Sequence, residues 1–364
     1  IEALPSSNGM KILYVGMKYD YGDPKRGFSF EHYNFYESLV AMEDKKHEIV
    51  YFPFDEVMQS VRQEEMNKKL VETVIREKPA LCFFFLFTDE IKKETIKTIT
   101  EKSGATTFNW FADDHWRFDN FSKFYASYFH YVSTTDSWAP EKYRKIGYNN
   151  VIKTQWACNI RTYRPVVGVE LRYDVTFVGQ PHSDRREVTK RIADAGIDLQ
   201  CWGNGWSNGR IDQEGMVRIF SESRINLNLT KGSGAIDIKQ IAKIFLNRRT
   251  DNSYFIQTPY MWVNNARSLW NKRREQIKGR NFEIPGCGGF LLTADADNLR
   301  DYYIDGKEIV IFKNVADLIE KAKYYLVHED ERRVIAQAGY ERTIREHTYE
   351  KRFQELFRTM GLER

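Results

Sequence analysis

The chain has 364 residues, enough for two domains each with its own core, and its apolar share of 42% and charged share of 29% are those of an ordinary soluble globular protein. The longest apolar run, residues 80–87, is too short to span a bilayer, which excludes a membrane-crossing helix and suits a central strand. Cys82, Cys158, Cys201 and Cys287 stand far apart with no CxxC pair, which argues against a disulfide framework or a structural zinc site. The net charge of +4 is mild but uneven: residues 267–280 carry six basic side chains against Glu275 alone. Such a run reads either as a solvated helix face or as a contact for an anionic partner, among them pyrophosphate, a lipid head group or nucleic acid. Residues 1–9 read as an appended leader, and Met10 opens directly into a buried strand. No signal peptide follows, so the chain is expected in the cytoplasm, with peripheral membrane contact through 267–280 as an option.

Strands are expected at 11–16, 48–52, 80–87, 106–111, 128–134 and 151–156, with helices at 30–45, 56–77, 88–102 and 139–146. Short apolar strands alternating with amphipathic helices predict a parallel sheet covered on both faces. Arg164-Pro165 breaks the rhythm, and a second array starts near Tyr173. Its strands fall at 173–179, 197–202, 224–230, 290–293 and 309–312, with helices at 185–195 and 213–223 and a helical stretch from 328 to the C-terminus. The predicted class is α/β, two Rossmann-like doubly wound domains facing across a cleft. The expected divisions are a first domain over 10–165, a second over 166–345 with an insertion at 232–278, and a C-terminal helix over 346–364.

Ligands of open α/β sheets sit outside the carboxyl ends of the strands, so the loops there carry the candidate chemistry. The stretch 279–293, with Arg280, Phe282, Glu283, Gly286, Gly288 and Gly289 before an apolar strand, is the most informative. It resembles the second-domain motif of GT-B glycosyltransferases, most closely the spore-maturation (CgeB-type) branch of the family-1-like transferases. The resemblance covers roughly Tyr173 to the C-terminus, and the first half less. It implies that Glu283 accepts the ribose hydroxyls of a nucleotide and that Arg280 belongs to the same donor site. The glycines let the backbone approach the ligand. Glu275 and Glu283 form E-x7-E, a spacing of many retaining GT-B enzymes in which the first carboxylate contacts the donor sugar. Helix capping by Glu283 and coincidence for Glu275 are the plain alternatives.

Arg185 and Arg186 open a helix whose N-terminal amides suit a phosphate, and either arginine is placed to steady a departing diphosphate. Gly203 and Gly205, in Trp202-Gly-Asn-Gly-Trp206, permit a tight turn beside a ligand. Lys231-Gly-Ser-Gly234 is placed to wrap the diphosphate but lacks P-loop spacing. In the first domain, Gly16, Lys25 and Arg26 would face the acceptor or the leaving phosphate. Asp113, Asp114 and His115 follow the fourth strand and include a candidate general base; an N-cap is the plain alternative. Asp295 and Asp297 imitate a metal-binding DxD, but helix capping explains them, so no metal is expected.

The expected function is transfer of a sugar from a nucleotide-diphosphate donor, most simply a UDP-sugar, to a hydroxyl acceptor on a glycan, lipid, protein or modified DNA base. Retention of configuration and independence of metal follow from the resemblance, and no cofactor beyond the co-substrate is expected. A transferase acting on modified nucleic-acid bases and a non-catalytic nucleotide- or sugar-binding module are the alternatives.

Overall fold

The computed structural model describes residues 9–42, 47–182, 184–231, 238–248 and 254–363. The expected leader, apart from Gly9, lies outside them, as do Gly232, Ser233 and Gly234. Two compact units emerge: Ile1–Gln155 with Asp237–Asn271 and Arg352–Arg364, and Trp156–Ile236 with Lys272–Lys351.

The first unit is built on β1 (Lys11–Gly16), β2 (Glu48–Pro53), β3 (Leu81–Phe84), β4 (Thr106–Trp110), β5 (Tyr131–Thr134) and β6 (Val151–Lys153), in the order β2-β1-β3-β4-β5-β6. Every neighbouring pair is parallel. All four residues of β3 are buried, as a strand covered on both faces requires. The apolar run 80–87 leaves the ladder after Phe84, where the Leu86 amide donates to Asn109 Oδ1 at 3.1 Å. The helix expected from 88 starts only at Lys93, because Glu90 holds the Thr88 amide at 2.7 Å and its hydroxyl at 2.5 Å in a tight local loop. The helix expected at 30–45 is a π-helical turn, His32–Tyr36, followed by Glu37–Ala41.

In the second unit β7 (Tyr173–Val178), β8 (Leu199–Trp202) and β9 (Ser223–Asn228) form one part of the sheet. Next in the chain, β10 (Leu246–Arg248) and β11 (Tyr254–Ile256) make an antiparallel pair that belongs to the first unit. The second sheet is completed by β12 (Leu291–Ala294) and β13 (Val310–Phe312), all parallel, in the order β13-β12-β9-β7-β8.

Three expected divisions differ from this arrangement. The unit boundary falls at Gln155, ahead of the Pro165 break. Of the expected insertion, the described residues up to Asn271 group with the first unit and 272–278 with the second; helix Pro259–Asn271 docks in the first unit through Asn265 and Ser268. Asn120 Nδ2 donates to Asn265 Oδ1 at 3.1 Å and to Ser268 Oγ at 3.2 Å. The C-terminal stretch is two helices, Glu329–Glu346 and Tyr349–Thr359. Phe353 of the latter packs in the first unit's core, its ring centroid 5.5 Å from Phe83 and 5.8 Å from Phe35.

Candidate functional site

In an open parallel sheet, the crevice lies where the strand order reverses, since the loops leaving the two flanking strands part in opposite directions there. The second sheet reverses between β7 and β9, so its crevice is lined by the loops after Val178 and Asn228. Both loops are tied down by one side chain. Arg185 Nη1 donates to the Gln180 carbonyl at 2.8 Å, and its Nη2 to the carbonyls of Leu229 at 2.8 Å and Lys231 at 3.2 Å. Burial pulls its guanidinium below the ordinary arginine value. Arg185 is therefore a clasp on the two loops and opens helix Arg185–Asp194 at the crevice.

Arg186 donates to the Gly205 carbonyl at 2.6 Å and lies 5.1 Å from the Trp206 ring, while Trp206 Nε1 donates to the Gly179 carbonyl at 2.7 Å. Gly203 is required by contact as well as by conformation: at φ +136°, a Cβ there would stand 2.4 Å from the Gly179 oxygen. The glycine turn and Arg186 thus brace the loop that follows β7.

Lys231 ends β9's exit loop. Its side chain is half exposed, with Nζ 3.5 Å from Asp184 Oδ2. Its backbone bridges to Glu275, which sits in an extended stretch beyond helix Pro259–Asn271 and not in the helix expected there. Burial raises the Glu275 carboxyl above its ordinary value, with Lys231 opposing and Asp295 and Asp184 adding to the rise. Lys231, Asp184, Glu275 and Asp295 are therefore mutually coupled at the carboxyl ends of β7, β9 and β12.

Beneath this cluster lies a polar network that the sequence reading missed. Asn228 Nδ2 donates to Asn281 Oδ1 at 3.0 Å and to Thr293 Oγ1 at 3.2 Å, and the Lys278 amide donates to Asn281 Oδ1 at 2.9 Å. The three side chains are buried, so the network fixes the turn leading into helix Arg280–Gly286. Alternate polar residues inside β9 were the available signal, since a buried strand of a parallel sheet otherwise reads as apolar.

Glu283 is fully buried, and Arg280 Nη1 donates to its Oε2. Its Oε1 has no hydrogen-bond partner among the described residues, although the Tyr163 phenol lies close enough for its ionisation to be opposed by the carboxylate. The glycines after it answer to packing. A Cβ on Gly286 would meet Cys158 Sγ at 2.2 Å, and one on Gly289 would meet Asn226 Nδ2 at 2.7 Å; Gly288 has φ +71°. Burial pushes the Cys158 and Cys287 thiols up, as expected of packed thiols. The Asp295 and Asp297 carboxylates are engaged locally, by Arg300 and by Asn298 Nδ2.

The first sheet reverses between β1 and β3. The loop after Gly16 is anchored by buried Asp55, which accepts from the Lys18 amide at 2.8 Å and the Tyr19 amide at 2.9 Å. Tyr21, at φ 55°, sets its ring edge-on to Phe87 from the β3 loop at 5.9 Å. The carboxylates of Asp20, Glu31 and Asp113 all act on its hydroxyl. Burial pushes the Glu31 carboxyl up to about 7. Arg26 pairs with Asp20 at 3.0 Å and stacks on Tyr21 at 4.6 Å, and Lys25 is exposed. Gly16 is buried, its missing Cβ accommodating the Tyr14 hydroxyl at 2.7 Å. Asp20, Tyr21 and Glu31 were not among the sequence candidates; only their place after the first strand pointed to them.

The Asp113-Asp114-His115 triplet divides. Asp113 is half-buried and precedes the helical turn Asp114–Arg117. Asp114 is fully buried, accepts from the Tyr143 hydroxyl at 2.8 Å, and has Ser122 and Thr134 beside it. His115 is buried as well. The enclosure of Asp114 makes it a structural acid: burial pushes its carboxyl from the ordinary 3.8 up to about 6. Because the folded value lies above the unfolded one, the native state holds an extra proton between about 4 and about 6. Stability falls as pH rises through that window. Asp114→Asn removes this term, so its stability relative to wild type is expected to rise by roughly 2–3 kcal/mol between pH 4 and pH 7, read by urea unfolding.

Residues 185–358 match the family model described as "Glycosyl transferase-like". The Spore protein CgeB of Bacillus subtilis (strain 168) is 22% identical over 224 residues, 60% of this chain and 64% of that protein, so the chain spans less than two thirds of that curated relative. Among solved structures, the sucrose-phosphate synthase of Thermosynechococcus elongatus superposes with a TM-score of 0.59 at 10% identity, covering 97% of this chain and 99% of that one. Anabaena HepE, solved in complex with UDP and glucose, gives 0.59 at 11% identity with the same coverage. Two doubly wound parallel sheets and these structural likenesses agree on the GT-B fold, and residues 185–358 make the chain similar to glycosyl transferase-like proteins.

Proposed function

We propose that the chain moves a sugar from a nucleoside-diphosphate donor to a hydroxyl acceptor, with the donor diphosphate held at the switch point of the second sheet. The observation that carries this reading is the meeting there of the N-terminus of helix Arg185–Asp194, the Lys231 ammonium and the Glu275 carboxyl. Free amides and a cation meet the charge that accumulates on a departing diphosphate, and a partly buried carboxylate accepts hydroxyls of the donor sugar. In this reading Arg185, Arg186, Gly203 and Gly205 hold the loops in place. Arg280 and Glu283 hold the turn that presents Glu275, and Glu283 Oε1 reaches a ribose only if the buried pair opens. Gly286, Gly288 and Gly289 shape the same turn.

A UDP-sugar donor is favoured because the HepE structures of the same fold contain UDP and UDP-glucose. The Asp295 and Asp297 carboxylates are already engaged, which supports charge balance by basic side chains and a metal-independent reaction. For the acceptor side we assign the first sheet's switch point, with Asp113, Asp20 and Glu31 as hydrogen-bond acceptors for a hydroxyl and Lys25 and Arg26 at its margin. Retention of configuration is part of the proposal. A nucleotide-sugar donor and buried thiols fit a cytoplasmic location.

The test is incubation with UDP-glucose, UDP-galactose, UDP-N-acetylglucosamine and GDP-mannose, reading nucleotide release and the anomeric proton coupling of the sugar product. One UDP-sugar is expected to turn over slowly to water, with the α configuration first formed. An initial β product overturns retention, and no turnover or binding of any donor overturns the reading.

A further inference from the structure

Tyr21 occupies a backbone position that suits a tyrosine poorly. The turn over residues 20–23, after β1, is closed by the Asp23 amide on the Asp20 carbonyl at 3.3 Å. It has two successive left-handed residues, Tyr21 at φ 55° and Gly22 at φ 72°. Turns of this kind ordinarily take asparagine, aspartate or glycine at the first of these positions, because a larger side chain crowds the following carbonyl. Core packing does not explain the exception, since Tyr21 is 57% exposed. Strain that the core does not require gathers at ligand sites.

The ring is nonetheless held. Phe87 meets it edge-on at 5.9 Å, and the Arg26 guanidinium lies over it, 4.6 Å from its centre. The loop that carries it is closed by a bridge between Tyr19 and Phe28, with the Asp20 amide on the Gly27 carbonyl at 3.0 Å and the Ser29 amide on the Lys18 carbonyl at 2.8 Å. A second exposed ring ends this loop. Phe28 is 40% exposed and stacks on Tyr19 at 5.9 Å and on buried His32 at 4.2 Å. Isolated exposed apolar side chains are ordinary, but two rings fixed on one closed loop, at the crevice of a parallel sheet, are pre-organised for a ligand.

Charge decides what the rings face. The carboxylates of Asp20, Glu31 and Asp113 act on the Tyr21 hydroxyl, with Arg26 opposing them, and Arg26 is itself paired with Asp20 at 3.0 Å. Such a setting repels a phosphate or a nucleic-acid backbone. A neutral sugar suits it: its hydroxyls donate to carboxylates, and its C–H groups lie against the electron-rich face of an aromatic ring. We infer that Tyr21 and Phe28 form a stacking subsite for a neutral pyranose ring, so that the acceptor is an uncharged glycan. The inference rests on the proposed transferase only in calling that sugar the acceptor; the stacking itself needs no donor.

Saturation-transfer NMR on the full chain, without donor, tests it. The probes are maltotriose, cellotriose and chitotriose, with trigalacturonate and a short DNA duplex as charged counterparts. At least one neutral trisaccharide is expected to bind, and the charged probes about tenfold more weakly or not at all. Tyr21→Gly should weaken the neutral sugar on the order of tenfold, Phe28→Ala several-fold, and Tyr21→Phe, which keeps the ring, less than about twofold. Glycine adopts φ 55° without strain, so Tyr21→Gly is expected to melt no earlier than the wild type. Early melting of Tyr21→Gly would show that the ring serves the fold and overturns the argument from strain. Sugar binding that Tyr21→Gly retains in full overturns the subsite, as does preference for a charged probe or no binding of any neutral trisaccharide at about 10 mM. UDP is titrated into the wild type beside it. Sugar binding without UDP binding upholds the subsite and counts against the transferase reading; UDP binding without sugar binding does the reverse.

Discussion

Arg280→Ala is expected to destabilise the second unit by about 3–5 kcal/mol, because it strands the fully buried Glu283 carboxylate in a site closed to water. The guanidinium lies 5.6 Å from the Phe220 ring, so its removal also leaves a gap in the core around Phe282 and Tyr163. The charge component separates from the packing component in a double change. Arg280→Met together with Glu283→Leu removes both ions and keeps most of the volume, and is expected to recover most of the loss. Urea unfolding, followed by a probe within the second unit, distinguishes the two. If Arg280→Ala costs less than about 1 kcal/mol, the pair is not a buried ion pair in solution.

Lys231→Ala is expected to lower kcat by a factor of about 100 to 1,000 while moving KM for the donor far less, since a cation aimed at a departing diphosphate acts mainly where charge develops. The side chain is half exposed and pairs with Asp184, so the fold tolerates its loss. Asp184→Asn is the companion change: it frees Lys231 of its ion pair and is expected to leave kcat within a few-fold of wild type. Equal losses in Lys231→Ala and Asp184→Asn would mean that the ion pair, and not the ammonium itself, matters to turnover.

Much of the strand array is legible in the sequence because most of the strands are short, largely apolar runs with a helix after them. The runs at 11–16, 173–178 and 309–312 need no tertiary information to be read as strands of a parallel sheet. The family resemblance likewise rests on residues that are contiguous in the chain, 279–293. What escapes the sequence is set by distant partners. The enclosure of Glu283 depends on Tyr163 and Cys158, far away in sequence, and the same motif on an open turn would have presented its carboxylate to solvent. Asp113 and Asp114 are neighbours of identical chemistry, and the enclosure of Asp114 among the Tyr143, Ser122 and Thr134 hydroxyls separates a structural acid from a half-exposed one. Helix Pro259–Asn271 misleads for a third reason: its polar face is the buried one, so a reading from hydrophobic pattern turns it the wrong way and misses the unit it joins.

The donor site at the second sheet's switch point is tested most directly by calorimetric titration of UDP, GDP and ADP into the wild type, Lys231→Ala and Asp114→Asn. One diphosphate, UDP, is expected to bind the wild type, with binding weakened roughly tenfold or more in Lys231→Ala and unchanged in Asp114→Asn. Binding that Lys231→Ala leaves intact, or no diphosphate binding at millimolar concentration, would contradict the donor site.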